Sequence, residues 1–210
     1  MYIPKHTRID STDEIYNFIE KNNFAILVTT NNGKLNASHI PVLLEKNENF
    51  RGHLLCHIAK ANSQWKDPDK EVLVIFPGPH HYISSSWYET NQSVPTWNYL
   101  SVHVHGEIEI IDDREQKIKI IKDLVKYFES NDSLYKVEDL KQSYFDGLLN
   151  GIVAFKINIT KLEGKHKLSQ NHSEERRTKV VAELDKFEND KDAQIISTLM
   201  KKDLQNKTES

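Results

Sequence analysis

The residues best equipped for chemistry lie where an apolar run gives way to a turn, in His57-Ile58-Ala59-Lys60-Ala61-Asn62-Ser63-Gln64-Trp65. His57, Lys60 and Asn62 sit there together. Backbone N–H groups at a helix start, with one lysine nearby, can hold a phosphate. The same residue types also suit an exposed loop, and spacing alone does not choose between the two. A second concentration runs from Pro77 to Tyr99, where Tyr82, Trp87, Tyr88, Trp97 and Tyr99 interleave with Ser84, Ser85, Ser86, Thr96 and Asn98. Rings with a polar handle favour interfaces and pocket walls, and core packing does not comfortably absorb all of these. The interleaved cations that would track a phosphate chain are absent, which disfavours a platform for single-stranded nucleic acid.

His103, His105, Glu107 and Glu109 alternate with Val102, Val104, Ile108 and Ile110. Two histidines on one strand face could ligate a metal. The regular alternation is met as well by a strand with a wet or pocket-facing side, and no metal is expected. His80 and His81 point apart in an extended chain. No nucleophile elbow, Walker loop, dinucleotide glycine fingerprint or paired-cysteine motif appears, and seven glycines leave little material for phosphate-cradling loops.

The elements that must carry these groups read as mixed α and β. Ser11 and Glu14 stand at capping-box spacing ahead of Ile15, Phe18 and Ile19, predicting a helix over 12–21. Phe24 to Val28, the turn Asn31-Asn32-Gly33 and a run to Leu44 predict a hairpin. Its second arm carries Ser38, Ile40, Val42 and Leu44 on one face and His39 and Pro41 on the other. Proline cannot donate a ladder hydrogen bond, so pairing is interrupted near Pro41, and the backbone there needs water, a bulge or a ligand edge. A further hairpin is expected about Asn49 to Gly52, then strands at 53–59 and 71–76 with a short helix at 62–66 between them. The strand through residues 102–110 is the clearest in the chain. A helix begins after Asp112, with Asp112 and Glu115 at capping-box spacing and Ile118, Ile121, Val125 and Phe128 on one face. Another spans 137–149, a strand covers 152–159, and a polar stretch fills 161–173. Two helices complete the chain, breaking near Glu188-Asn189-Asp190, and the tail after Leu204 is polar enough to fray.

At 210 residues the chain suits one well-filled core. Its net charge of −3 exerts no overall pull toward nucleic acid. The single cysteine, Cys56, excludes an intrachain disulfide and reads as a buried thiol in a reducing compartment. With no targeting segment and no apolar run near the ~18 residues of a membrane span, the expectation is a cytoplasmic, unprocessed protein with no membrane partner.

Six segments stand in a recognisable order: MYIPKH, LVTTNNGKLNASHIPVLL, HIAKANSQW, VIFPGPHHYISSSWY, VPTWNYLSVHVHGEIE and KLSQNHSEERR. Together they resemble the PaiB family of FMN-binding negative transcriptional regulators, with motifs from residue 1 to about residue 185. The resemblance implies an α+β fold: an FMN-binding split β-barrel, antiparallel and of Greek-key type, with peripheral helices and a C-terminal helical extension. On that reading residues 1–172 form the barrel domain and 173–210 the extension packed on or beside it. It also implies a homodimer with the cofactor at the two-fold interface.

Carried onto this sequence, the resemblance lays the Pro41-interrupted strand, with His39, along the flavin ring. Lys60 and Asn62, with the backbone of Ala59 and Ala61, would hold the FMN phosphate, and His57 is a further cofactor-binding candidate. Trp97 and Asn98 would complete the pocket, from either subunit, and Lys167, Ser169 and Gln170 are further cofactor contacts. The family commonly has a proline where Ser85 stands and an aromatic residue where His105 stands. The implied role is repression of degradative-enzyme and sporulation genes, through promoter DNA directly or by way of another regulator. A flavin-dependent oxidoreductase of the same fold is the enzyme alternative. A haem-binding or haem-degrading variant, with His39, His57 or His103 on the iron, is the third.

Overall fold

Asn32 (φ 50°) and Gly33 (φ 75°) both take the left-handed conformation that a two-residue primed turn requires. They join β2 (Phe24–Asn31) to β3 (Lys34–Pro41), paired without a slip from Phe24↔Pro41 to Asn31↔Lys34. The expected interruption at Pro41 is present. Val42 leaves the ladder and donates its N–H to the Asn23 carbonyl at 2.9 Å, and the chain then changes partner. β4 (Leu43–Asn47) pairs with β5 (Phe50–Ala59) instead of β2. The computed structural model describes residues 1–47, 50–66, 71–90 and 92–208, so Asn49, in the second expected hairpin, lies outside the described residues.

Three long strands follow: β6 (Glu71–Ile83), β7 (Thr96–Ile111) and β8 (Ile152–Lys167). With β1 (Arg8–Ile9) they complete an antiparallel sheet in the order β3-β2-β6-β7-β8-β5-β4, and β1 pairs with β8. Its ends curl together, so that β3 approaches β5 without a ladder between them. Two strands outrun the sequence expectation. β6 continues seven residues past Phe76, and β8 takes in Lys161–Lys167, which the polar composition marks as irregular. The cause in β8 is pairing: Arg8↔Lys165 and Ile9↔Gly164 give this polar segment a partner far away in sequence.

The helices are α1 (Thr12–Lys21), α2 (Arg114–Phe128), α3 (Gln142–Asn150), α4 (Glu174–Leu184) and α5 (Lys191–Thr208). None is long and apolar enough to cross a membrane. The Glu14 N–H donates to Ser11 Oγ at 3.3 Å at the start of α1. The cap of α2 is Asp113, not Asp112, and its Oδ1 accepts from the Gln116 N–H at 2.8 Å. Ile120 and Leu124 pack on Leu55, Ile111 and Ala154, while Ile118, Ile121 and Val125 pack on Val137, Phe145 and Leu149. Phe128, expected on that apolar face, is half exposed. The single helix expected over 137–149 is instead a 3-10 turn at Val137–Asp139 and then α3. Extended backbone at Leu140 and Lys141 separates them, while Val137 and Leu140 still join the cluster of Phe145 and Leu149.

By contacts the chain divides into two compact units. One comprises residues 15–76 and 103–162, which hold β2 to β5, α2, α3 and the adjoining parts of the long strands. The other comprises residues 1–14, 77–102 and 163–210. Its core is Ile83, Leu168, Val180, Val181, Leu184, Ala193, Ile196 and Met200, largely from α4 and α5.

Candidate functional site

The first group of candidate residues lies where β5 ends. Residues 60–65 form a tight turn: the Lys60 N–H donates to Gly151 O at 2.8 Å, Asn62 N–H to Ala59 O at 2.9 Å, and Trp65 Nε1–H to Lys60 O at 3.0 Å. Asn62 caps a 3-10 turn at Ser63–Trp65 by accepting from the Gln64 N–H at 2.9 Å. Its amide also donates to Ser38 Oγ at 2.9 Å and to Gln64 Oε1 at 3.2 Å. Ser38 in turn donates to Gln64 Oε1, and the Gln64 amide donates to Thr29 Oγ1 at 3.1 Å. Thr29 and Gln64 are buried. This network joins the β2–β3 hairpin to the turn after β5 and holds the backbone of residues 59–64 in one shape.

Around that frame the groups that could meet an anion remain available. Ala59 and Lys60 are exposed, and among the described residues no carboxylate pairs with the Lys60 ammonium. His57 is half buried, and burial pushes its imidazole below the ordinary histidine range. Its Nδ1 is buried with no hydrogen-bond partner among the described residues. An exposed lysine with no carboxylate partner among the described residues, next in sequence to an alanine that leaves room for close approach, fits a phosphate-bearing ligand.

On β3, Ser38 and Ile40 turn inward, whereas His39 is exposed and stacks on Phe24, ring centroids 5.9 Å apart. β3 is a terminal strand of the sheet, so one side of its backbone has no ladder among the described residues. This supplies an edge along which a flat polar ring system could lie.

The second group lies in the other unit. Asn98 is fully buried, accepting from Ser169 Oγ at 3.0 Å and donating to Met200 Sδ at 3.4 Å. Ser169 holds a left-handed backbone (φ 60°) that aims its hydroxyl at Asn98. Gln170 closes a local ring, accepting from the Leu168 N–H at 2.7 Å and donating to His166 O at 2.7 Å. Lys167 donates to Thr96 Oγ1 and, at 2.8 Å, to Trp97 O; burial and then Lys165 push its ammonium below the usual lysine range. Trp97 is half exposed and lies edge-on to Tyr82. Pro77, Gly78, His80, Trp97 and Tyr99 line a shallow cavity of about 340 Å³. Lys167, Ser169 and Gln170 therefore order the backbone behind the aromatic wall, and Trp97 is the exposed member of the set.

Two functional side chains escape the sequence reading. Gln64 and Ser38 stand inside quoted motifs, yet nothing in their spacing shows that they meet across 26 residues. His105, at the position where an aromatic is common, faces Glu71 at 3.4 Å.

A family model described as "Putative FMN-binding domain" matches residues 1–161. The chain is 37% identical over 191 residues to "Protease synthase and sporulation protein PAI 2" of Bacillus subtilis, covering 90% of this chain and 91% of that protein. It is 30% identical to an uncharacterized protein of Aspergillus fumigatus, covering 73% of this chain and 78% of the other. Among solved structures it is similar to a flavocytochrome from Azotobacter vinelandii, with TM-score 0.63 and 12% identity over 84% of this chain and 78% of that one. It is also similar to an FAD and heme binding protein from Mycobacterium smegmatis, with TM-score 0.60 and 13% identity over 82% and 78%. The fold is thus an α+β antiparallel split barrel of the kind those flavin-binding proteins share.

Proposed function

This chain belongs to the PaiB family of FMN-binding proteins, and from that premise we propose that it binds FMN as a homodimer and represses genes for degradative enzymes and sporulation. The observation that carries the cofactor reading is the exposed Lys60, whose ammonium meets no carboxylate among the described residues, on a turn held by the Thr29–Gln64–Ser38–Asn62 network. Lys60 and Asn62, with His57 and the backbone of Ala59, would bind the phosphate. The free edge of β3 at His39 and Pro41 would meet the ring. In the other unit, Lys167, Asn98, Ser169 and Gln170 position Trp97, an exposed aromatic proposed as a further cofactor contact. Bound FMN supplies one- or two-electron chemistry at its ring; the residues named here bind and orient it.

The regulatory part rests on the 37% identity to a protein named for protease synthesis and sporulation. Contact with promoter DNA is proposed to run through another regulator. The basic side chains of α4 are already committed: Arg176 to Glu89, Arg177 to Asp203 and Lys179 to Glu175. This leaves α4 without a free cationic face for phosphates.

The test is the absorption spectrum of purified protein after FMN is added and excess removed. Retained bands near ~370 and ~450 nm, the signature of a bound flavin, are expected; a colourless protein refutes the cofactor reading. For regulation, deleting the gene is expected to raise transcripts of protease and sporulation genes, and unchanged transcripts refute it. A promoter fragment shifted at low salt by the purified protein alone would show the contact to be direct.

A further inference from the structure

We infer that Lys117, on α2, is a second cation for the flavin phosphate, acting beside Lys60; this rests on the FMN reading above. The two lysines are tied to consecutive carbonyls where β8 begins. The Lys60 N–H donates to Gly151 O at 2.8 Å, and Lys117 Nζ donates to Ile152 O at 2.8 Å. Ala59, exposed and in register with Ile152, puts only a methyl group at the β5 position next to Lys60.

The charge arrangement is unfavourable without a ligand. Lys117 sits in the first turn of α2, where the helix dipole disfavours a cation. Its ammonium binds a proton less readily than an ordinary lysine, first because it is partly buried and next because of the Lys60 charge; Asp112 acts in the opposite sense and more weakly. Two ammonium groups are thus held within electrostatic reach of one another, and the nearby carboxylate does not cancel the repulsion. A phosphate dianion between them would convert that repulsion into two charge-assisted contacts. Asn62 and the shaped turn then supply orientation, and Lys60 and Lys117 supply charge.

The test compares FMN with riboflavin, which has the same ring and no phosphate, by fluorescence titration of wild type, Lys117→Met, Lys117→Arg and Lys60→Met. Wild type is expected to prefer FMN. Lys117→Met is expected to lose roughly 10- to 100-fold in FMN affinity, the scale of one charged hydrogen bond, with riboflavin affinity unchanged, and Lys117→Arg to keep most of the FMN preference. FMN affinity at the wild-type level in Lys117→Met, with Lys60→Met impaired, overturns the role of Lys117 and leaves the Lys60 site standing. Equal losses for both flavins assign Lys117 to the fold and overturn the inference. A wild-type protein that binds neither flavin, or both equally, refutes the phosphate site itself.

Discussion

Replacing Gln64 by Met tests whether the turn after β5 is held by its buried network. The substitution keeps length and removes both the acceptor used by Ser38 and Asn62 and the donor to Thr29. Thr29 is almost completely buried, so water cannot replace the lost partner. Ser38 keeps the Asn62 donor and loses its own acceptor. An unsatisfied buried polar group costs about 1–3 kcal/mol; Thr29 carries that cost in full and the half-buried Ser38 only part of it, so about 2–4 kcal/mol is expected. Urea unfolding followed by tryptophan fluorescence should therefore show a lower midpoint at an unchanged slope. A second substitution sharpens the test. Thr29→Val removes the stranded hydroxyl, so Gln64→Met combined with Thr29→Val should be more stable than additivity predicts, by about 1 kcal/mol or more. A Gln64→Met protein within about 0.5 kcal/mol of wild type, the usual size of a surface substitution, or strict additivity in the pair, would refute the network.

Lys60→Ala should weaken FMN binding by roughly 10- to 100-fold, and the difference from wild type should shrink as salt is raised in the titration. Gly106→Ala should lower the unfolding midpoint by an amount worth about 1–3 kcal/mol, because its Cβ would lie 2.5 Å from Ile157 Cγ2 and 2.6 Å from the Asn158 carbonyl oxygen, a backbone atom that cannot swing aside. Glu89, held to Arg176 by a two-point contact, has its carboxyl lowered from 4.5 to about 2. A depressed folded-state value stabilises the protein above the unfolded value, so this contribution is present at neutral pH and is lost as pH falls from about 4.5 toward 2. The pH series of unfolding midpoints for Glu89→Gln should run parallel to wild type above that window and lack its share of the acid-side drop within it. Cys56 is completely buried, and burial raises its thiol strongly, so a thiol reagent should label the native protein only at the rate of unfolding and label it at once in denaturant.

Local chemistry made much of this protein legible from its residues. Asn32-Gly33 specifies a primed turn because two consecutive left-handed positions exclude most side chains. Pro41 ends a ladder because it lacks an N–H, and Ser11 begins a helix because its hydroxyl accepts from the first turn. The order of motifs from MYIPKH to KLSQNHSEERR identified the family, and the split-barrel expectation followed. What the sequence could not disclose depends on partners distant along the chain. The polar run Lys161–Lys167 is a strand because Arg8 and Ile9 pair with it. Gln64 is a structural keystone because Thr29 and Ser38, on the hairpin, come within hydrogen-bond reach of it. Lys117 becomes a candidate ligand because Ile152 holds its ammonium near Lys60, 57 residues earlier in the sequence. Turns and caps are decided over a few residues by sterics and the nearest hydrogen bond, whereas a binding site is decided by which distant segments the sheet sets side by side.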